Sequence, residues 1–407
     1  MLDFFLNVQE VAAGGGSGGA AVNGYTYNED AYNSITPTHL LVGTAMQGVT
    51  SEFRIYDIQS LPTITQVSAW NPSGYTNYMQ NIGYIGHRMS IKDGYFYMTT
   101  YNNELHVYDV TDPTSVASGS KIYDSGANAS LYQNTAGLYA HPTKDILWVL
   151  KWDSSSPTLT TLDISNPASP SVISTITPYG APEASAISTD GERIFYKTAK
   201  ELVSYGLDAS NNPANFQSDP TSGGSFAVSN NLRAQGRMEF YQSGTGNNYI
   251  IVGHHNLDNH SVIKMGTDYV PDAAASELNS LADSDYVRLV YPFPWAETYF
   301  SDDLVYWKQE MDDYELQVSS FDPVSNAFSH HGSIVDTTYL GKSSTGTVIA
   351  IDGWDQYVVT MRHNNNFSFW EYDPVADSVS RIASITRSTT PDIQDWAGIE
   401  VCLFAVP

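Results

Sequence analysis

Apolar and polar positions recur along this chain with a period of about 52 residues. In each period an alternating apolar segment ends in Asp and is followed by a turn rich in Ser, Thr, Asn and Pro. These terminal residues are Asp57, Asp109, Asp163, Asp208, Asp322 and Asp373, with successive spacings of 52, 54, 45, 114 and 51 residues. The gap of 114 residues spans two periods, so we expect a degenerate copy inside it, at 264–268. A fixed period of this length is typical of repeat architectures.

Each period predicts four strands. A strand of alternating polarity leads to an Asp-Gly turn, which we place at Asp93-Gly94, Asp190-Gly191 and Asp352-Gly353. A nearly continuous apolar strand follows, then the strand that ends in Asp, then a more polar strand such as 172–176. The continuous apolar strands are predicted at 95–100, 146–150, 193–196, 249–252, 304–307 and 357–361. Continuous apolar runs indicate burial on both faces, whereas alternation leaves one face in water. Four strands with a buried second strand are what a β-propeller blade requires.

The two ends of the repeat region complement each other. Residues 39–44, 53–58 and 64–67 supply three strands of the first period, which lacks a first strand. The segment 399–404 is a strand without a period of its own. We therefore predict an all-β fold over 39–407, a seven-bladed β-propeller of four-stranded blades, closed by the C-terminal strand joining blade one. Cys402 is then expected to be a small apolar residue of a buried inner strand.

The turns after the third strands resemble a known repeat. Residues 107–113 and 162–167 are similar to the LVIVD-type propeller repeat, whose turn reads V-V-D-V-S-D-P. The resemblance covers about two repeats well and the others loosely, and it implies a propeller without implying an activity. We predict that the repeating Asp forms an Asx-type turn with the residues that follow it. A calcium loop of the form D-x-[DN]-x-[DN]-G is absent from the sequence.

Two segments depart from the repeat. Residues 1–38 contain a Gly-rich stretch preceded by the apolar residues Leu2, Phe4, Phe5 and Leu6. An apolar tip on a flexible arm predicts docking to a neighbouring subunit, with a frayed terminus as the alternative. The second departure is a predicted helical insertion near 267–285, where Asp272 precedes a helix-compatible run.

Charge narrows the choice of partners. The net charge is −26, yet only 15% of residues are charged, against roughly 25% in an average domain. Scarce Lys and Arg argue against nucleic acid and against anionic membrane surfaces as partners. A hydrophobic content of 42% argues against disorder. We expect no signal peptide, no membrane insertion and, with one cysteine, no internal disulfide.

Long loops between the predicted blades are rich in aromatic residues. Exposed Tyr and Trp offer contact area and hydrogen bonds at a low entropic cost. The predicted binding face consists of Trp70, Tyr75, Tyr78, Tyr123, Tyr132 and Trp295. The alternative is that several of these rings pack between blades.

Catalytic and metal-binding motifs are weak. His254, His255, Asp258 and His260 could offer metal ligands, but adjacent strand residues point to opposite faces, so we predict no metal and no cofactor. The sequence 15–19 matches G-x-S-x-G only inside the Gly-rich arm, without a strand-to-helix turn. Two carboxylates from distant blades could still form a catalytic pair for glycoside hydrolysis, and this alternative stays open. The residues near the expected channel are His87, Arg88, Glu183 and Arg237.

These features favour a non-enzymatic binding propeller in an extracellular assembly, such as a tail, nozzle or appendage of a bacteriophage virion. Its expected partners are other protein subunits and a host surface glycan. One alternative is a glycan hydrolase or lyase on a propeller scaffold. Another is a cell-surface or filament-forming adhesion protein of a salt-adapted microbe, because low Lys and excess carboxylate suit high salt.

Overall fold

The computed structural model describes 21 segments of the chain. They are 37–44, 52–70, 89–100, 102–153, 155–182, 184–188, 190–198, 202–218, 238–242, 248–253, 260–265, 269, 298–301, 304–307, 316–322, 327–334, 348–354, 357–362, 367–373, 375–385 and 400–406. The arm at 1–36 and, apart from Tyr269, the predicted insertion at 267–285 lie outside these residues. The described residues include no helix with the length and hydropathy that a membrane span requires.

Strands dominate the described residues. In chain order they are β1 (His39–Thr44), β2 (Glu52–Asp57), β3 (Thr65–Trp70), β4 (Met89–Lys92), β5 (Tyr95–Thr99), β6 (Leu105–Asp109), β7 (Lys121–Asp124), β8 (Thr135–Ala140), β9 (Ile146–Lys151), β10 (Thr158–Asp163), β11 (Ser171–Ile176), β12 (Ala184–Ile187), β13 (Arg193–Lys197), β14 (Leu202–Leu207), β15 (Pro213–Ser218), β16 (Met238–Gln242), β17 (Asn248–Gly253), β18 (His260–Met265), β19 (Thr298–Ser301), β20 (Leu304–Trp307), β21 (Leu316–Asp322), β22 (Ala327–Ile334), β23 (Val348–Trp354), β24 (Tyr357–Arg362), β25 (Phe367–Asp373), β26 (Ser378–Ile385) and β27 (Glu400–Phe404). A 3-10 turn (Ser118–Ser120) precedes β7, and a helical turn, α1 (Ala129–Tyr132), follows it.

The strands form antiparallel sheets in which chain neighbours are mostly sheet neighbours. In order along the chain they are sheet 1 (β27-β1-β2-β3), sheet 2 (β4 to β7), sheet 3 (β8 to β11), sheet 4 (β12 to β15), sheet 5 (β16 to β18), sheet 6 (β19 to β22) and sheet 7 (β23 to β26). Sheet 5 has three strands within the described residues, and the other sheets have four. The all-β, propeller-like arrangement of four-stranded sheets is therefore confirmed.

Sheet 1 joins distant parts of the chain. Strand β27 pairs with β1 in an antiparallel register that places Leu40 opposite Leu403 and Leu41 opposite Cys402. Cys402 thus lies in the strand that we predicted for it, while its side chain lies outside the described residues.

Burial follows the predicted division of roles among strands. Every residue of β9 and β13 is buried, whereas β11, a fourth strand, is exposed or half-buried throughout. The apolar core lies between neighbouring sheets. Phe53 and Trp70 of sheet 1, for example, pack with Met89 and Phe96 of sheet 2. Similar clusters join sheets 2 and 3, sheets 3 and 4, sheets 4 and 5, and sheets 7 and 1.

A register irregularity recurs between the third and fourth strands. It occurs at Ile55/Tyr56, Val107/Tyr108, Thr161/Leu162, Ser204/Gly206, Val318/Ser319 and Phe369/Trp370. A β-bulge increases the local twist of a strand pair. The outer edge of each described four-stranded sheet therefore twists at a comparable position.

Two of the three predicted Asp-Gly turns are confirmed. Asp93 and Gly94 have φ angles of 51° and 77°, and Gly191 has a φ angle of 72°. The turn predicted at Asp352-Gly353 is wrong, because both residues lie inside β23. Trp354 pairs with Tyr357, so β23 extends one residue beyond the predicted turn before the chain reverses.

Candidate functional site

The loops at one end of the sheets form the surface that we call the loop face. Because strands alternate in direction, the loop between second and third strands and the connection to the next sheet lie at the same end. Within the described residues, the loop face of sheets 2, 3 and 4 consists of 100, 102–104, 125–134, 152–153, 155–157, 177–182 and 198. The turns that follow the repeating Asp residues lie at the opposite end.

Three of the predicted binding residues fall in described segments, and two of them are buried. Trp70 is the last residue of β3 and only 4% exposed, with its ring 5.3 Å from Phe53 and 5.7 Å from Tyr108. Tyr132 of α1 is buried with the apolar cluster of sheets 2 and 3, and half-buried Tyr123 packs against the same cluster. Burial raises the pKa of the Tyr132 hydroxyl. Trp70 and Tyr132 are therefore core rings, in line with the packing alternative.

The other sequence-predicted residues lie outside the described part of the chain. They are Tyr75, Tyr78 and Trp295 of the binding face, Leu2, Phe4, Phe5 and Leu6 of the arm, the metal candidates His254, His255 and Asp258, and the channel residues His87, Arg88, Glu183 and Arg237. His260 is the first residue of β18, but its side chain also lies outside.

Two aromatic rings that the sequence reading missed are exposed on the loop face. Tyr179, in the connection between sheets 3 and 4, is 50% exposed, and Phe216 of β15 is 47% exposed. Their ring centroids are 5.8 Å apart with an interplanar angle of 48°. We call these two residues the aromatic pair. Large apolar side chains with half of their surface in water are candidates for contact with a ligand.

The aromatic pair has a firm support. The ring of Tyr205 lies 5.2 Å from that of Phe216, and its hydroxyl accepts the Tyr179 backbone N–H at 3.1 Å. The Tyr196 hydroxyl donates to the Tyr179 carbonyl at 2.8 Å. Hydrogen bonds from sheet 4 therefore hold both the backbone N–H and the carbonyl of Tyr179 in place without any ligand.

Glycine allows the segment that carries Tyr179 to approach sheet 4. Gly180 has a φ angle of +69°, and a Cβ atom there would lie 2.8 Å from Thr198 Cγ2. A larger residue would be strained by the φ angle and would push the connection away from Thr198. Two features of the sequence could have indicated the aromatic pair. One is the Tyr179-Gly180 dipeptide between two predicted sheets, and the other is Phe216 as the one aromatic residue of the polar strand β15.

A second group on the loop face consists of Glu104, His106 and Asp124, which we call the acid–histidine cluster. His106 Nε2 lies 3.2 Å from Glu104 Oε2 and 3.4 Å from Asp124 Oδ2. Glu104 immediately precedes β6, and the two-residue period of the strand places it on the same face as His106. Asp124 is opposite His106 in the pairing of β6 and β7. Among the described residues, this is the group of side chains that could hold a metal.

Burial and charge act in opposite directions in this cluster. Burial holds the pKa of His106 below its ordinary value, and Lys121 acts in the same direction, against the carboxylates of Asp124 and Glu104. Burial opposes ionisation of Asp124, but the hydrogen bonds from Lys121 and from the Gly126 N–H keep its pKa below its ordinary value. The cluster therefore holds a neutral imidazole facing two carboxylates.

Comparison with known proteins bears on the fold. The model of the LVIVD repeat matches residues 86–121 and 155–177, which include both segments with the strongest resemblance. No curated protein sequence matches the chain. A Lactobacillus plantarum protein aligns with a TM-score of 0.59 at 13% identity, over 90% of this chain and 99% of its own.

Two further similar structures are of proteins whose names state an activity. A Bacteroides uniformis protein provisionally named a 6-phosphogluconolactonase aligns with a TM-score of 0.59 at 11% identity, over 86% of this chain and 96% of its own. The periplasmic gluconolactonase of Pseudomonas aeruginosa aligns with a TM-score of 0.54 at 13% identity, over 91% and 100%. At such low identity these likenesses show the fold alone, a β-propeller-like array of sheets, while the LVIVD repeats rest on the match of the repeat model.

Proposed function

We propose that the sheets are the blades of a closed seven-bladed propeller. Contacts between first strands support the ring, because β4 contacts β8, β8 contacts β12, and β12 contacts β16. The series continues through β19 and β23 to β27, which also contacts β4. A closed ring leaves only the short outer edges of its sheets unpaired and is a rigid support for loops.

We infer that this ring is a binding protein and that its loop face contacts a neutral glycan. The aromatic pair is the observation that carries this function. Two adjoining exposed rings at an angle can stack against the C–H faces of a sugar, while nearby backbone groups hydrogen-bond its hydroxyls. A net charge of −26 disfavours anionic sugars.

The test compares binding to a panel of immobilised neutral oligosaccharides, followed by calorimetry with the best of them. Tyr179→Ala and Phe216→Ala should each weaken binding at least about tenfold, the loss of roughly 1.4 kcal/mol expected for a hot-spot ring. Val375→Ala is the matched control, since Val375 is 95% exposed on a turn at the opposite end of sheet 7. Its affinity should equal that of the unmodified protein.

Two results would contradict the glycan proposal. One is a full-length protein that retains none of the oligosaccharides. The other is equal binding by all three variants. If the aromatic pair instead proves necessary for retaining a protein subunit, the loop face is a protein interface.

We further propose that the ring belongs to an extracellular assembly such as a virion, with residues 1–38 as its docking arm. The apolar residues Leu2, Phe4, Phe5 and Leu6 before a Gly-rich stretch support this role. Deleting residues 1–24 should abolish incorporation into the particle while leaving the ring folded, as checked by particle composition and by circular dichroism. Full incorporation of the shortened protein would refute the docking role.

A second candidate function is hydrolysis of a sugar lactone. It is favoured by the names of two structural neighbours, a gluconolactonase and a provisional 6-phosphogluconolactonase. Acid release from gluconolactone and from its 6-phosphate distinguishes the two functions. A rate above the spontaneous rate would favour the enzyme over the binding protein.

A further inference from the structure

The acid–histidine cluster has a use that the proposed glycan binding does not require. We propose that Glu104 Oε2, His106 Nε2 and Asp124 Oδ2 bind one divalent transition-metal ion of the zinc class on the loop face of sheet 2.

The distances among the three donor atoms suit such an ion. Zinc lies about 2.0–2.2 Å from imidazole nitrogen and carboxylate oxygen, and tetrahedral angles then separate two donors by about 3.3–3.5 Å. His106 Nε2 is 3.2 Å from Glu104 Oε2 and 3.4 Å from Asp124 Oδ2. All three donor atoms lie within 4.8 Å of one another. An ion at their centre therefore needs only a small closing movement of the exposed Asp124.

The charges also favour a cation between these atoms. His106 is 0% exposed, and its Nε2 faces two carboxylates at once. A single N–H can donate well to only one of them, whereas a divalent ion compensates both negative charges. The imidazole would bind the ion in its neutral form, with its proton on Nδ1.

Neighbouring groups orient both carboxylates. The Thr100 hydroxyl donates to Glu104 Oε2 at 3.3 Å and accepts the Glu104 backbone N–H at 3.2 Å. The Gly126 N–H donates to Asp124 Oδ1 at 2.9 Å, which leaves Oδ2 directed at the cluster. Outer hydrogen bonds of this kind raise the affinity of metal sites.

Access and ligand type narrow the identity of the ion. The side chain of Asp124 is 38% exposed, so water can reach the cluster and supply a fourth ligand. Imidazole suits zinc, nickel, copper and iron, whereas calcium and magnesium select oxygen ligands. Zinc is therefore the probe, and calcium is the control ion.

Lys121 competes with the ion. Its ammonium lies 2.6 Å from Asp124 Oδ2, and its side chain is 24% exposed on β7. A metal ion must displace this ammonium from the carboxylate, and the long flexible stem of lysine allows it to turn into water. Removing the positive charge should therefore strengthen metal binding, an effect that a purely structural ion-pair network would not produce.

The experiment titrates the chelator-treated, full-length protein with Zn²⁺ by calorimetry and measures bound zinc by mass spectrometry. We expect each chain to bind one zinc ion, with an affinity that depends on Glu104 and Asp124. Glu104→Gln and Asp124→Asn should each lower the affinity at least tenfold, and Lys121→Gln should raise it. Asp163→Asn is the matched control, because Asp163 is the last residue of β10, at the end of sheet 3 opposite to the loop face. Calcium should not compete.

The variants avoid the buried His106, whose replacement endangers the fold. Thermal unfolding of each metal-free variant shows that it is folded before titration. The proposal is overturned if the unmodified protein binds no zinc at micromolar concentrations. It is also overturned if zinc binds equally to Glu104→Gln and Asp124→Asn. Neither result bears on the proposed glycan contact, which rests on the aromatic pair at sheet 4.

Discussion

At the scale of single residues, carboxylates close the turns of the repeat. Oδ1 of the repeating Asp accepts the backbone N–H two residues later at 2.7–3.0 Å. This holds at Asp57, Asp109, Asp163, Asp208 and Asp373. The predicted Asx turns are confirmed at these positions. They could be predicted because donor and acceptor lie two residues apart, so no knowledge of the tertiary structure was needed.

His141 shows a residue-scale feature that depends on tertiary structure. It follows β8 at the end opposite to the loop face and is fully buried. Its Nδ1 accepts the N–H groups of Thr143 and Lys144 at 3.2 and 3.1 Å, and its Nε2 lies 3.3 Å from Glu192 Oε1. Glu192 comes from the next sheet. The turn therefore requires a neutral imidazole with an unprotonated Nδ1.

Acid should destabilise the protein through this histidine. Burial, the largest cause, and nearby Lys144 hold the pKa of His141 below 6.5, against the carboxylates of Glu192 and Asp190. The unfolded chain then binds a proton at a higher pH than the native chain, so the free energy of unfolding falls as the pH drops below 6.5. The fall is up to about 1.4 kcal/mol for each pH unit between the two pKa values.

Denaturant unfolding of His141→Asn at pH 7 and pH 5 measures this effect. Asn keeps an acceptor for the two N–H groups but does not titrate, so the variant should lose less stability between these pH values than the unmodified protein. Glu192→Gln removes a carboxylate that favours the imidazolium and should steepen the loss. An unchanged pH dependence in His141→Asn would show that another group controls the acid response.

At the scale of elements, the strands and their grouping into sheets could be predicted, but the register between paired strands could not. The continuous apolar strands were located to within one or two residues, because their burial is written into the sequence as uninterrupted runs. The register of β6 against β7 could not be predicted, because it shifts between Val107 and Tyr108. The acid–histidine cluster depends on that register, which brings Asp124 opposite His106 across a separation of 18 residues.

The sequence also did not show which aromatic residues are buried and which are exposed. Trp70 was assigned to a loop, but β3 extends to it, and the strand alternation turns its ring into the core between sheets 1 and 2. Phe216 received no role because it stands in a polar strand. Its exposure depends on β15 being the outer strand of sheet 4, whose outward face meets water. The composition therefore predicted a binding face of aromatic residues, but it did not identify which residues form it.

At the scale of the whole molecule, the proposed ring closes through sheet 1. The pairing of β27 with β1 joins residues separated by nearly the whole repeat region. Leu41 lies directly opposite Cys402, and residues paired in this way have Cα atoms about 4.5–5.5 Å apart. This separation is within the range of a disulfide, about 4.4–6.8 Å. One substitution, Leu41→Cys, therefore gives a cross-link that reports closure.

Oxidised Leu41→Cys should form an intramolecular disulfide and run as a more compact species on non-reducing denaturing gels. Its unfolding midpoint in denaturant should exceed that of the same variant after reduction, because the cross-link constrains a very long loop in the unfolded chain, an effect of about 4 kcal/mol or more in the chain-entropy model. Comparing the two redox states of one variant cancels the cost of replacing buried Leu41. The double variant with Cys402→Ser should show no shift, and Val42→Cys, which pairs with Val401, should stay reduced. If the Leu41→Cys thiols remain reactive after oxidation of the native protein, the terminal strand does not close the ring in this register.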